Sequence, residues 1–257
     1  MMKPSEQQHQ GEARPTGLLA NRVLRDLGDL RAPAVSKATL TWRLSNWWKH
    51  RTRDLHREAA YAFVGRLSGV ITMRSVLSGQ VYRMPVDRLH LEQIVRIKQL
   101  LSEGFPVWEL PRFFGGELVN YGVLSTRVVT TAGVNAIVDA FQNTFEVENF
   151  KFHGYGTGVN AEATGNTALQ TELTTEYSPD NTRPTGSQGE GASANVYRTT
   201  ATLSPDSGGT LAITEHGIFS ATTAGTLLDR SVFSAINIVA GQDSLQTQYD
   251  FTCTAGG

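Results

Sequence analysis

Cysteine is nearly absent. Cys253 is the single thiol in 257 residues, which excludes an internal disulfide and leaves packing or assembly to supply stability. Long apolar runs are missing too: none approaches the roughly 20 residues a membrane-spanning helix needs. Met1 to Gln10 lacks the apolar centre of a secretory signal, so synthesis in a reducing cytoplasm is expected. Cys-x-x-Cys, His-Glu-x-x-His and Gly-x-Ser-x-Gly do not occur, and Asp and Glu are too scattered to nominate an acid–base pair. The expectation is a protein that is not an enzyme and uses neither cofactor nor metal.

What is present starts with ordinary bulk. A hydrophobic fraction of 40% over 257 residues allows one large or two modest domains with a real core. The net charge of −1 conceals a division. Residues 1–120 hold 18 Lys and Arg against 11 Asp and Glu, a surplus of +7, while residues 121–257 hold 5 against 13, a surplus of −8. Regions of opposite sign can pair with each other, with neighbouring copies or with separate partners, which favours an assembling protein.

The last third sets the fold class. Val196 to Leu203, Leu211 to Phe219, Leu227 to Val239 and Leu245 to Cys253 are strand-length runs divided by Gly, Pro, Asp and Ser. In the final run Leu245, Thr247, Tyr249, Phe251 and Cys253 share one face and Ser244, Gln246, Gln248, Asp250 and Thr252 the other, a period of two. Cys253 is expected to point inward. Four such strands without a helix-length insert predict antiparallel pairing. The predicted class is α+β, mainly β: an antiparallel β-sandwich or jelly-roll-like domain with one packed helix, over residues 117–257 with a long exposed loop at 159–194. A basic α+β docking region at 18–116 and an extended arm at 1–17 precede it.

Within residues 18–116, Leu19, Val23, Leu27 and Leu30 predict a short amphipathic helix. Val70 to Leu77 and Gln80 to Met84 read as a hairpin. Asp87 is placed to cap a helix from Arg88 to Glu103, and Phe105, Trp108, Phe113 and Phe114 form an aromatic connector. Beyond Gly116 a strand runs to Val129. Thr130 or Thr131 then caps a helix whose Val134, Ile137, Val138 and Phe141 make a face for packing on the sheet.

Chemistry-bearing candidates are few. Trp42, Trp47 and Trp48 lie among Arg43, Lys49, Arg51, Arg53 and Arg57. Rings interleaved with cations suit a nucleic-acid surface, stacking on bases and neutralising phosphates; the plainer reading is an amphipathic segment that buries its tryptophans against a neighbour. Gly154-Tyr-Gly-Thr-Gly158 invites a phosphate-loop reading, but neither a helix nor Gly-Lys-Ser/Thr follows. His153, Glu215 and His216 lack the paired spacing of metal ligands and read as buried polar strand residues. Asp229-Arg230 reads as ion-pairing or interface charge.

Several segments taken together resemble the virion β-modules of tailed-bacteriophage structural proteins. They are Val128 to Asn135, Phe150 to Gly158, Thr167 to Leu169, Tyr197 to Thr202, Ile213 to Phe219, Gly225 to Phe233 and the Gly256-Gly257 end. The resemblance covers about residues 117–257. It implies a non-enzymatic particle component, a head decoration or cement protein bound to the major capsid protein or other virion proteins, or alternatively a tail, collar or fibre-attachment protein. It further implies a homo-oligomer, a trimer among the forms, located in the virion and away from membranes. A second alternative is a DNA-contacting protein using residues 42–57. On the lead reading Trp42, Arg43, Trp47, Trp48, Lys49, Arg51, Arg53 and Arg57 are interaction residues that help residues 1–116 grip the shell.

Overall fold

The computed structural model describes residues 35–49, 71–85, 89–105, 109–126, 128–206 and 209–255. The arm at 1–17, the helix expected from Leu18, Asp87, Trp108, Arg51, Arg53, Arg57 and the Gly256-Gly257 end lie outside these residues. The strands are β1 (Val35–Lys37), β2 (Thr72–Arg83), β3 (Glu117–Thr126), β4 (Val128–Val129), β5 (Phe152–Gly156), β6 (Ser187–Glu190), β7 (Val196–Leu203), β8 (Thr210–Phe219), β9 (Leu227–Val239) and β10 (Asp243–Thr254). Residues 40–49 form helix α1. Leu91–Ser102 is α2, Leu110–Phe113 α3 and Thr131–Phe141 α4.

The strands make two sheets, one ordered β1-β3-β2-β10-β7-β6 and the other β4-β9-β8-β5. One apolar core joins them: Leu77, Val81, Leu124, Leu203, Leu245 and Tyr249 from the first sheet meet Tyr155, Ile213, Ile218, Phe233, Ile236 and Ile238 from the second. The fold is α+β, mainly β, with sandwich-like packing. Pairing is nested, β2 with β10, β4 with β9, β5 with β8 and β6 with β7. Such first-with-last pairing is the logic of a jelly roll, although β8 also joins β9 as a hairpin neighbour.

The period-two reading of β10 holds from Leu245 through Phe251, with Leu245, Thr247, Tyr249 and Phe251 buried, but Ser244, assigned to the wet face, is buried too. Cys253 is exposed, not inward, because it lies past Phe251, where the core ends. β8 from Ile213 onward and the first half of β9 do not alternate. They are buried on both faces, since residues from the long loop and α4 cover the outer face of their sheet.

The expected hairpin at Val70–Met84 is instead one strand. β2 runs straight through Gly79, whose missing side chain admits Leu124: a Cβ there would lie 2.9 Å from the Leu124 side chain. Residues 72–83, which the sequence places in the N-terminal region, therefore stand between β3 and β10 in the middle of the six-stranded sheet. Twelve residue pairs join β2 to β10.

α2 starts at Leu91. His90 occupies the cap position in an extended conformation, and its N–H donates to Gln93 Oε1. Leu100, Phe105, Leu110, Phe113 and Phe114 form a second small core at this end. In α4, Thr130 Oγ1 accepts the Gly133 N–H at 2.9 Å, the cap expected from the sequence. The buried side is different from the expected one. Gly133 and Ala136 are buried and Ile137, one of the four expected residues, packs partly on the core, while Val134, Val138 and Phe141 face solvent, because the glycine allows the helix backbone to lie directly on Leu228.

Candidate docking surface

Several polar residues of the strands are bonded inside the molecule. Glu215 on β8 is wholly buried and gathers five N–H donors. Oε1 accepts from Gly158 N and Thr171 N, and Oε2 from Gln170 N, Arg230 Nε and Arg230 Nη2, all within 2.7–3.0 Å. The clasp explains Gly154-Tyr-Gly-Thr-Gly158. A Cβ at Gly156 would sit 2.4 Å from Thr171 O, and one at Gly158 would sit 2.4 Å from Glu215 Oε1. These glycines let loop backbone and carboxylate press onto β5; the N–H of Gly158 serves a protein carboxylate, not a phosphate.

The loop after β5 is consequently less exposed than expected. Leu169, Leu173, Tyr177 and Arg183 are buried. Arg183 binds Glu172 in a two-pronged ion pair, its Nη2 lying 2.8 Å from Oε2. It also donates to Ala221 O and lies 3.5 Å from the centre of the Phe219 ring. The loop is thus fastened to the β8–β9 connection.

Between the sheets lies a second polar group. His153 on β5 and His216 on β8 are buried with Nδ1 and Nε2 3.0 Å apart. His153 also reaches Thr199 on β7 and Thr247 on β10, each at 3.2 Å, and Tyr155 Oη bonds Thr247 at 2.7 Å. Burial pulls the His153 pKa from 6.5 to about 3 and pushes the Tyr155 phenol up. The imidazole is therefore neutral at pH 7 and ties one sheet to the other. Glu215 is engaged with Arg230 and loop amides, so the three residues weighed as metal ligands do not converge. Among the described residues no group of three His, Cys, Asp or Glu is arranged to hold a metal ion. Asp229 accepts from Ser75 Oγ at 2.7 Å, and Arg230 pairs with Glu215; the Asp229-Arg230 step is internal.

The Trp-rich segment has two faces. Opposite Thr214 of β8, β9 carries three residues, Phe233 to Ala235, between the pairs Ile213–Ile236 and Glu215–Val232. Such a bulge frees backbone groups that need partners. α1 supplies them: Trp42 Nε1 donates to Ser234 O and Ala235 O, Lys49 Nζ to Phe233 O, and Asn46 Oδ1 accepts from Ser234 N. Asn46 Nδ2 also donates to Leu124 O, and Trp42 packs edge-on against Tyr121 at 4.7 Å.

Of the interaction residues read from the sequence, Trp42 and Lys49 thus turn toward the sandwich, while Arg43, Trp47 and Trp48 are exposed. Arg51, Arg53 and Arg57 lie outside the described residues. Asn46, which anchors the helix, was not singled out by sequence. Its signal is the spacing Trp42, Asn46, Lys49, which marks one side of a helix.

At the far end, a cleft of about 450 Å³ opens between α2 and the turns at 204–206 and 241–244. Its walls include Tyr82, Met84, Ile94, Ile97, Leu101 and Pro205. It is an apolar recess without a cluster of reacting groups. No protein-family model matches the chain, and no curated protein matches it.

Proposed function

We propose that this protein is a non-enzymatic structural component of a tailed-phage particle, a head decoration protein whose sandwich projects from the shell and is held there through those parts of residues 1–116 that do not build its sheets. One observation carries this reading. The segments of the phage-module resemblance, scattered along the sequence, lock onto one another. Thr130 caps α4 and bonds Leu227 O; Gly158, Glu215 and Arg230 share the buried clasp; Leu169 packs on Phe219 and Leu227; His153, Thr199 and His216 bridge the sheets. These residues build architecture and present no reacting group to solvent, which supports a part that works by shape and contact.

The test is localisation on intact particles by cryo-electron microscopy, or with gold-labelled antibody against residues 161–191. Label spread over the head is the expected result. Label at one vertex or along the tail would replace decoration with a connector or fibre-anchoring role. Particles without label would end the virion reading.

A further inference from the structure

An apolar ridge and an apolar groove lie at opposite ends of the sandwich. The ridge is on α4, where Val134, Val138 and Phe141 follow one another at i, i+4 and i+7, and Phe141 is 89% exposed. The charges from Thr130 to Phe150 are Asp139, Glu146 and Glu148, all acidic and all exposed. The groove belongs to α2, which buries only Leu100. Its Ile94, Ile97 and Leu101 instead line the cleft of about 450 Å³, together with Met84 and Pro205. Among the described residues, the charges on the cleft walls are Lys98 on α2, Asp206 on the turn after β7, and Asp243, which has Arg83 Nε 3.9 Å away.

The ridge cannot fill the groove of its own molecule. Both ends of α4 are tied to one end of the four-stranded sheet. Thr130 N donates to Leu228 O, and the chain leaving the helix re-enters at Phe152, paired with Phe219 beside Leu227. The cleft lies past the other end of β9, where Val239 N donates to Asp243 Oδ2. The strand from Leu228 to Val239 holds these points roughly 35 Å apart, about twice the length of α4.

We propose that the α4 ridge of one copy docks in the α2 cleft of a second copy. Val134 to Phe141 and Ile94 to Leu101 each span about 10 Å of helix, so the two can lie along one another with ridges in grooves. The cleft falls within the roughly 300–1,000 Å³ of pockets that enclose a ligand. It gives the Phe141 ring a socket, and such a seated aromatic is the usual anchor of a contact. Charge selects this pairing over ridge against ridge. Two α4 faces would bring three carboxylates from each copy together, whereas the cleft presents Lys98. Asp206 on the opposite wall then admits the acidic helix in one orientation, with Asp139 toward Lys98. Because ridge and groove are different surfaces, the contact is heterologous and repeats from copy to copy in a ring or a row. This self-association goes beyond the particle reading and is tested in solution without it.

The test uses the full-length chain, with mass measured by light scattering and sedimentation equilibrium. Wild type should form dimers or larger species. Val138→Ser/Phe141→Ser removes the ridge and Leu101→Arg blocks the groove. Each variant should be monomeric, with unchanged circular dichroism because all three side chains are exposed. An equimolar mixture of the two keeps one intact ridge and one intact groove, so it should give a 1:1 dimer and nothing larger. Phe141→Ser alone should weaken association at least about tenfold. Lys98→Glu should weaken it too, and adding Asp139→Lys to the same chain should restore it, which a fold defect would not do. A monomeric wild type, or a mixture that stays monomeric, would overturn the proposal. So would a Leu101→Arg variant that still associates, which would point to ridge against ridge.

Discussion

Glu215 and His153 show how this chain uses polar residues where an apolar core would be simpler. Arg230 provides two of the five donors on Glu215, so Arg230→Ala should leave a buried carboxylate with three amides and no cation. A loss of about 3–5 kcal/mol is expected, read as a lowered urea midpoint with an unchanged slope. His153 makes a pH prediction. Its folded pKa lies near 3, below the ordinary 6.5 of an unfolded chain. As pH falls below 6.5 the unfolded state takes a proton that the folded state refuses. Its contribution is therefore complete above pH 6.5 and declines toward pH 3, by at most about 1.4 kcal/mol per pH unit. His153→Gln should be less stable at pH 7 yet show a shallower decline across that window; an identical slope would remove His153 as the cause. Both residues are legible in sequence as buried strand polars. Their partners are not, because Thr171 and Thr247 reach them only through the fold.

At the scale of elements, α1 and the β9 bulge depend on each other. Asn46→Ala would strip partners from Leu124 O and Ser234 N, each worth about 1–3 kcal/mol when left unmet. Amide exchange at Ser234 and across residues 40–49 should accelerate, while β7 and β10 keep their protection; uniform acceleration would mean that α1 is part of the core and not a clamp upon it. The strands of the last third could be read in advance because turn residues bound them and β10 alternates. β2 could not, since Ser78-Gly79 has the look of a turn, and only contact with Leu124 makes it a straight passage. The apolar stripe of α4 was visible, but its direction was not. Periodicity finds an apolar stripe without saying which edge of it a sheet covers, and Gly133 decided the matter by letting the side that also holds Ala136 and Ile137 seat on the sheet.

For the whole molecule, the position of β2 makes the two sides of residue 116 inseparable. A fragment of residues 117–257 would leave β10 with an unpaired edge twelve residues long, the kind of edge that recruits other chains. It should aggregate when expressed alone and become soluble when residues 1–116 are co-expressed; a soluble, cooperatively melting fragment would show that the sandwich closes without β2. The same pairing has a temporal side. Arg83 meets Asp243 across 160 residues of chain. At the pace of translation, about 5–20 residues per second, β2 emerges roughly 8–30 seconds before its neighbour exists. Throughout that interval a strand destined for the middle of a sheet must wait with half its partners unmade, and nascent chains on one message sit close enough to offer each other the missing edge.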